Sequence, residues 1–393
     1  MPEQEAPIMA VCGVIAEYDP FHKGHERHLL WAREAAGAEQ VVCVISGCFT
    51  QRGLPALLSP YDRAEMALRC GADIVLQLPY AFSVREGDFF ALGGVQILSA
   101  LGCVSHLSFG CEEKALPYLN DAAALLETPD EALEEAVQAG LSEGLSYAAA
   151  AGRAVEKRLQ APPRALDRPN AALALSYLRA IRRLGSPLLP VPVPREGHYH
   201  ARELTGAPSA SALRAAISRG DWQGISGAIP QEALPVLEKA LLAGRVCPPE
   251  RMDPFLTLAL MRRTEREIAM LPGIGEGLEK RILKAARSAV SWEELIRLVK
   301  TRRYTYGRIS RALCHAVTNV TWDELPSLPE SARVLGFRES ARPLLRRMRK
   351  SGFPLFTRPA LSNPLDQRAD ETWHALAGLP RAEAYRRGPI ILP

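Results

Sequence analysis

Two histidines three residues apart mark the segment Glu17-Tyr18-Asp19-Pro20-Phe21-His22-Lys23-Gly24-His25. Imidazoles offer ring N–H donors, and the glycine between them lets backbone come close to a ligand. Ile8 to Ala16, just before, is a continuous apolar run suited to a strand buried on both faces. His25 to Ala36 has helical spacing, so the pair sits where a strand hands over to a helix. Backbone N–H groups and the helix dipole favour a phosphate there. Two imidazoles can then stabilise the phosphate oxygens whose charge changes when the α–β bond of a nucleotide breaks. That chemistry needs preorganised donors and no nucleophile. A metal face of His22, His25 and His28 is the competing reading, but a glycine-bearing turn suits phosphate better than a closed coordination shell. No Walker A or G-x-G-x-x-G sequence is present.

The elements that must hold this loop follow in alternation. Gln40 to Ile45, Ala72 to Leu78 and Val104 to Phe109 read as further strands, with helices over Tyr61 to Cys70 and Phe89 to Leu101. This cadence predicts a parallel α/β sheet covered on both faces, with ligands at the carboxyl ends of its strands. Leu116 to Gln160 is helical in pattern, Ser176 to Leu184 and Ser209 to Arg219 are further helices, and Leu188 to Val193 is a proline-interrupted edge strand. Past about Gly227 strand signals almost vanish. Leu256 to Arg266, Leu278 to Ser288, Ser291 to Thr301 and Arg308 to Thr318 predict an all-helical second domain, and the Pro-rich end carries no expectation. The expected division is 1–226 for a nucleotide-binding domain and 227–393 for a mainly helical one.

Several constellations suit a nucleotide. Ser46 to Gly53 follows the second strand, so Gln51 and Arg52 could meet an acceptor or phosphates; an ordinary polar loop is the equal alternative. Gly110 follows the fourth strand. Asn170 precedes a helical pattern and reads as a cap. Ser209 and Ser211 open a helix with Arg214 a turn later, a hydroxyl and guanidinium nest for phosphate; a plain N-cap is the alternative. Lys300, Arg302, Arg303, Arg308 and Arg311 cluster with Tyr304 and Tyr306 and no acid between 300 and 311. Cations neutralise phosphates and tyrosines can stack on unpaired bases. A second basic cluster runs from Arg333 to Lys350. Leu271-Pro272-Gly273-Ile274-Gly275 resembles a helix-hairpin-helix turn, read here as structural.

Composition narrows the classes. The 393 residues are 47% apolar and 23% charged, excluding a disordered tail, collagen or a coiled-coil rod. A net charge of +4 does not force nucleic-acid or membrane binding. Eight cysteines without a C-x-x-C pair point to reduced thiols and a cytoplasmic protein. Met1 to Pro7 lacks a basic signal-peptide region, no run approaches a membrane span, and no protein partner is evident.

The histidine segment resembles the nucleotidyltransferase superfamily. Ser46-Gly47-Cys48-Phe49-Thr50-Gln51-Arg52-Gly53, Leu78-Pro79-Tyr80, Ser108-Phe109-Gly110-Cys111-Glu112, Arg168-Pro169-Asn170 and Lys300-Thr301-Arg302-Arg303-Tyr304-Thr305 are similar to blocks of the bacterial tRNA(Met) cytidine acetate ligases. This resemblance implies a Rossmann-like HxGH nucleotidyltransferase sheet. It further implies an enzyme that activates acetate with ATP to acetyl-adenylate and acetylates N4 of the wobble cytidine of elongator tRNA(Met). His22, His25 and Arg214 would be catalytic. ATP would lie on Val14, Ile15, Ala16, Glu17, Tyr18, Asp19, Pro20, Phe21, Lys23 and Gly24, with Gly110, Asn170, Arg195, Ser209 and Ser211. The tRNA would meet Lys300, Arg302, Arg303, Tyr304 and Arg308. No protein-held metal is implied, and Mg²⁺ is left open. The family commonly carries Asn where this chain has Asp19 and Lys23, so a carboxylate stands beside the expected triphosphate, to be offset by Lys23 or a metal. Two alternatives remain: a nucleotidyltransferase acting on a phosphorylated metabolite, and a non-catalytic RNA-binding protein.

Overall fold

The computed structural model describes residues 10–166, 168–194 and 209–393. Apolar runs with little polar interruption build the centre of one sheet: β1 (Val11–Ala16), β2 (Gln40–Ser46), β3 (Ile74–Leu78) and β4 (His106–Cys111). They pair in parallel in the order β4-β1-β2-β3. Both faces are covered, so nearly every residue of β1 to β3 is buried. Helices α1 (Lys23–Ala35) and α2 (Pro60–Arg69) make the first two crossovers. The predicted edge strand is β5 (Leu189–Pro194), parallel to β4 at the margin of the sheet.

The chain past residue 227 departs from the expectation of helices alone. Helices at Asp253–Met261, Glu265–Ala269, Leu278–Ala286, Trp292–Val299 and Tyr306–Thr318 form the expected helical region. The chain then returns to the sheet: β6 (Ala332–Arg338) pairs antiparallel with β3, and β7 (Leu355–Phe356) and β8 (Ile390–Leu392) pair parallel with β6. The sheet thus spans both sides of residue 227. The Leu256-to-Arg266 helix also ends early, because Thr264 caps a new helix through a reciprocal bond with Glu267. Leu116 to Gln160 resolves into three helices, Leu119–Glu127, Glu131–Ser142 and Tyr147–Arg158.

Two contacts lock the helical region to the carboxyl edge of the sheet. Gly53, with φ +73°, lies against helix 306–318 so closely that a Cβ would stand 2.6 Å from the Arg311 backbone. His315 of that helix is buried; its Nε2–H donates to Val84 O (3.1 Å) and its Nδ1 lies 3.0 Å from the Tyr80 hydroxyl. Both contacts join positions far apart in sequence. Eight free cysteines are all buried, and burial pushes the Cys43 thiol up to about 12. Among the described residues no helix is long and apolar enough to cross a membrane.

Burial lowers His315 from 6.5 to about 3, with the Val84 carbonyl opposing. The folded chain holds this imidazole neutral where the unfolded chain would protonate it. Its contribution is intact above pH 6.5 and is lost as pH falls from there toward 3. Over pH 6 to 4.5, denaturant unfolding should show wild-type stability falling more steeply than that of His315→Gln, by about 1.4 kcal/mol per pH unit. Parallel slopes would refute the assignment.

Candidate active site

The loop after β1 is bound from below by a single buried cation. Arg63 of α2 is fully buried. Its Nη1 donates to Glu17 O (2.5 Å) and Ser46 Oγ (3.2 Å), its Nε to Leu58 O (3.2 Å) and its Nη2 to Gly47 O. Burial pushes this guanidinium below its ordinary value, and nearby Asp19, Cys48, Glu17 and Asp62 oppose that shift. The carboxyl ends of β1 and β2 are thereby fixed to each other. Glu17 Oε1 accepts the Gln51 N–H (2.6 Å), a further tie between the two loops. Burial raises the Glu17 carboxyl, with the Gln51 bond working the other way.

On this floor the two imidazoles cap α1. His22 Nδ1 accepts from Gly24 N (3.1 Å), and His25 Nδ1 accepts from His22 N (3.3 Å). The rings stack with centroids 3.6 Å apart and planes 21° from parallel. In a neutral ring an accepting Nδ1 leaves the proton on Nε2. Both rings therefore present the same donor, fixed by backbone they themselves cap. Gly24 is required here: a Cβ would stand 2.9 Å from Cε1 of the His22 ring. Tyr18 adopts φ +53°, a left-handed conformation costing a side-chain-bearing residue about 1–3 kcal/mol. Its buried ring packs 4.9 Å from both Phe21 and His25, which holds the loop shape. Val14 and Ile15 lie buried in β1, Ala16 ends the strand, and Asp19–Pro20 is a cis peptide.

The second motif reaches the same loop from a helix later in the chain. Ser209 caps helix Ala210–Arg219 by accepting from Ala212 N, and Ser211 is exposed one residue into that helix. Arg214 Nη1 donates to Asp19 O (2.5 Å) and pairs with Asp19 Oδ2 (3.2 Å). Asp19 Oδ1 meanwhile accepts from Leu57 N (2.7 Å). The carboxylate expected to face a triphosphate is thus matched by Arg214. Lys23, expected to offset it, instead reaches the Gly227 carbonyl (2.7 Å) at the end of helix Trp222–Ala228.

Asn170 is held by a residue the sequence did not single out for a role, two positions past Gly110. Glu112, just past β4, accepts from Asn170 Nδ2 (2.9 Å) and Ala171 N (2.7 Å), capping helix Pro169–Leu184. Asn170 is therefore inside that helix, not its cap. His28 turns to Ser108 Oγ (3.1 Å), not toward a metal face with its neighbours. Arg195 lies outside the described residues. Among the described residues the cluster able to hold a metal is Glu26, Cys70 and Glu232. Burial pushes the Cys70 thiol up to about 12, and a neutral thiol does not fit Mg²⁺, which takes hard oxygen donors.

The basic cluster is partly committed. Lys300, Arg302 and Arg303 are exposed, and Arg303 makes a two-pronged pair with Glu276 (2.8 and 3.0 Å). Arg308 donates to Gly273 O (2.8 Å) in the hairpin turn. Tyr304 is buried at 7% exposure and its hydroxyl donates to Glu276 O (2.5 Å), so its ring supports the turn and is not presented to a base. Arg333 of the second cluster is buried as well, paired with Asp370 (2.6 Å).

A mostly parallel sheet with paired imidazoles capping its first helix defines a nucleotidyltransferase of the paired-histidine class. A family model described as HIGH nucleotidyl transferase matches residues 9–382. The tRNA(Met) cytidine acetate ligase of Syntrophotalea carbinolica is 38% identical, over 87% of this chain and 83% of that protein. The one from Syntrophomonas wolfei is 33% identical over 89% and 87%. The crystal structure of Thermotoga maritima TmcAL bound with alpha-thio ATP superposes with a TM-score of 0.89 at 28% identity, covering 98% of this chain and all of that one. The chain belongs to the tRNA(Met) cytidine acetate ligase family.

Arg63→Met should cost on the order of 3 kcal/mol in denaturant unfolding, because it strands buried carbonyls at three places. Arg33→Met, which breaks a partly exposed pair with Asp73, should cost about 1 kcal/mol or less. Equal losses would show that Arg63 is not the tie between the strand ends.

Proposed function

We propose that this chain is an ATP-dependent ligase that forms acetyl-adenylate and passes the acetyl group to N4 of the wobble cytidine of elongator tRNA(Met). The observation that carries this reading is the stacked imidazole pair, locked by backbone N–H groups at both Nδ1 atoms. In the first step an acetate oxygen attacks the α-phosphorus, the bond to the β-phosphate oxygen breaks, and pyrophosphate leaves with the electron pair. His22 and His25 donate through Nε2–H to the oxygens gaining charge, and none of these groups is covalently modified. In the second step the cytidine N4 amine attacks the acetyl carbonyl, loses a proton, and AMP departs. Any Mg²⁺ would travel with the triphosphate.

The supports divide by region. Gly110, Asn170, Ser209 and Ser211 would complete the nucleotide site, with Arg214 reaching the histidine loop through Asp19. Lys300, Arg302 and Arg303 offer the tRNA backbone exposed cations, with Arg308 half-buried behind them. Residues 1–226 would carry the adenylation site and 227–393 most of the tRNA surface, in a cytoplasmic protein.

The decisive assay is acetate-dependent exchange of labelled pyrophosphate into ATP without tRNA. His25→Ala should reduce exchange to background and leave tRNA affinity nearly unchanged; loss of tRNA binding would contradict the division. Exchange driven only by a phosphorylated metabolite would replace acetate as substrate, and no exchange would leave an RNA-binding protein.

Asp19→Asn should keep the bond from Leu57 N while releasing Arg214 from its ion pair. Calorimetry should then show ATP binding about fivefold tighter, the scale of one partly exposed pair. Unchanged or weaker binding would mean that Arg214 does not reach the phosphates.

A further inference from the structure

Where the start of α1 meets the end of α2, three acidic groups from separate parts of the chain converge. Glu26 stands in the first turn of α1, Cys70 caps the end of α2, and Glu232 precedes helix Leu234–Leu242. One ligand atom from each lies within 4.8 Å of the other two. Cys70 is 6% exposed, and its thiol is aimed into the group, with Glu26 half-buried and Glu232 exposed beside it. Among the described residues the thiol makes no hydrogen bond and neither carboxylate forms an ion pair. The cations that act on the group are turned elsewhere: Lys23 to Gly227 O (2.7 Å), Arg69 to Glu65 (2.8 Å) and Arg338 to Leu68 O (2.7 Å). Burial raises the Glu26 carboxyl and Glu232 raises it further, while both carboxylates add to the burial that raises the Cys70 thiol. Acidic groups crowded in this way oppose each other's ionisation until a cation joins them.

We propose that Glu26, Cys70 and Glu232 bind one Zn²⁺, at a site separate from the paired imidazoles and independent of the nucleotide reading. The donor set is mixed: sulfur selects a thiophilic ion over Mg²⁺ or Ca²⁺, and zinc accepts carboxylate oxygens as well. Binding breaks the Cys70 S–H bond; the proton leaves to buffer, and the sulfur electron pair forms the bond to the metal. Three protein ligands leave one tetrahedral position for a water. Bonds of about 2.3 Å to sulfur and about 2.0 Å to oxygen set ligand atoms roughly 3.5 Å apart. The group therefore contracts on binding, and the exposed Glu232 side chain supplies that movement by rotating. Glu26 directly follows His25, so the ion braces the helix start that the imidazoles cap, tying it to the end of α2.

The test uses the full chain, stripped with a chelator and free of ATP, titrated with Co²⁺ as a coloured substitute for Zn²⁺. Binding should raise the near-ultraviolet sulfur-to-cobalt charge-transfer band. Added Zn²⁺ should abolish that band by displacement, and excess Mg²⁺ should leave it. Cys70→Ser should show no such band. Glu232→Gln changes an exposed side chain and keeps the fold, and it should weaken Co²⁺ binding about tenfold or more. His25→Ala should retain the band, since an imidazole ligand gives none. Zn²⁺ should also raise the melting temperature of the wild type and not that of Cys70→Ser. Absence of the band in the wild type would overturn the proposal, as would its survival in Cys70→Ser, undiminished affinity in Glu232→Gln, or its loss in His25→Ala.

Discussion

One buried guanidinium sets the geometry on which the site depends. Two parallel strands end side by side, and their last carbonyls lose the partners that the ladder provided. Arg63 supplies several N–H donors from one rigid fork to Glu17, Gly47 and Leu58 at once. The floor under the histidine turn is therefore not a flexible pair of loops but a cross-linked plate. On it each imidazole accepts a backbone N–H of the helix start that it caps. The strained backbone at Tyr18 is tolerated because its ring is buried between Phe21 and His25.

A second theme is charge already spoken for. The carboxylate of Asp19 and the ammonium of Lys23 stand in the histidine segment, where sequence alone sets one against the other. In the fold each turns to a different partner: Asp19 to Arg214, and Lys23 to the end of helix 222–228. The helix carrying Arg214 is thereby drawn onto the histidine loop. The cation that the family resemblance assigns to phosphate serves, in this structure, as the clasp of the loop.

The sheet's centre and the histidine turn were legible because they obey local rules. Uninterrupted apolar runs such as Gln40 to Ile45 are what a strand covered on both faces requires. The three late strands were not, for definite reasons. In β6, Arg333, Gly336 and Arg338 break the apolar pattern, and an antiparallel partner needs no helical crossover to announce it. Arg63 and Arg333 read as surface charges because an arginine's burial depends on acceptors distant in sequence. Tyr304 misled in the opposite sense: an aromatic among cations resembles a base-stacking platform, yet its hydroxyl finds Glu276 O and the ring goes inside. Glu112 gave no signal beyond a short matched block, since its role rests on meeting residues 170 and 171 in space.

The margin of the sheet at β5 has its own consequence. Leu189 donates inward to Ser105 O (2.9 Å), so by alternation Val191 and Val193 also turn toward β4. The outward row is left to Pro190, Pro192 and Pro194, none of which has an amide hydrogen. Any foreign strand approaching this rim would meet carbonyl oxygens alone and could not zip on. Crowded nascent chains gain a built-in guard against fibre seeding at that flank.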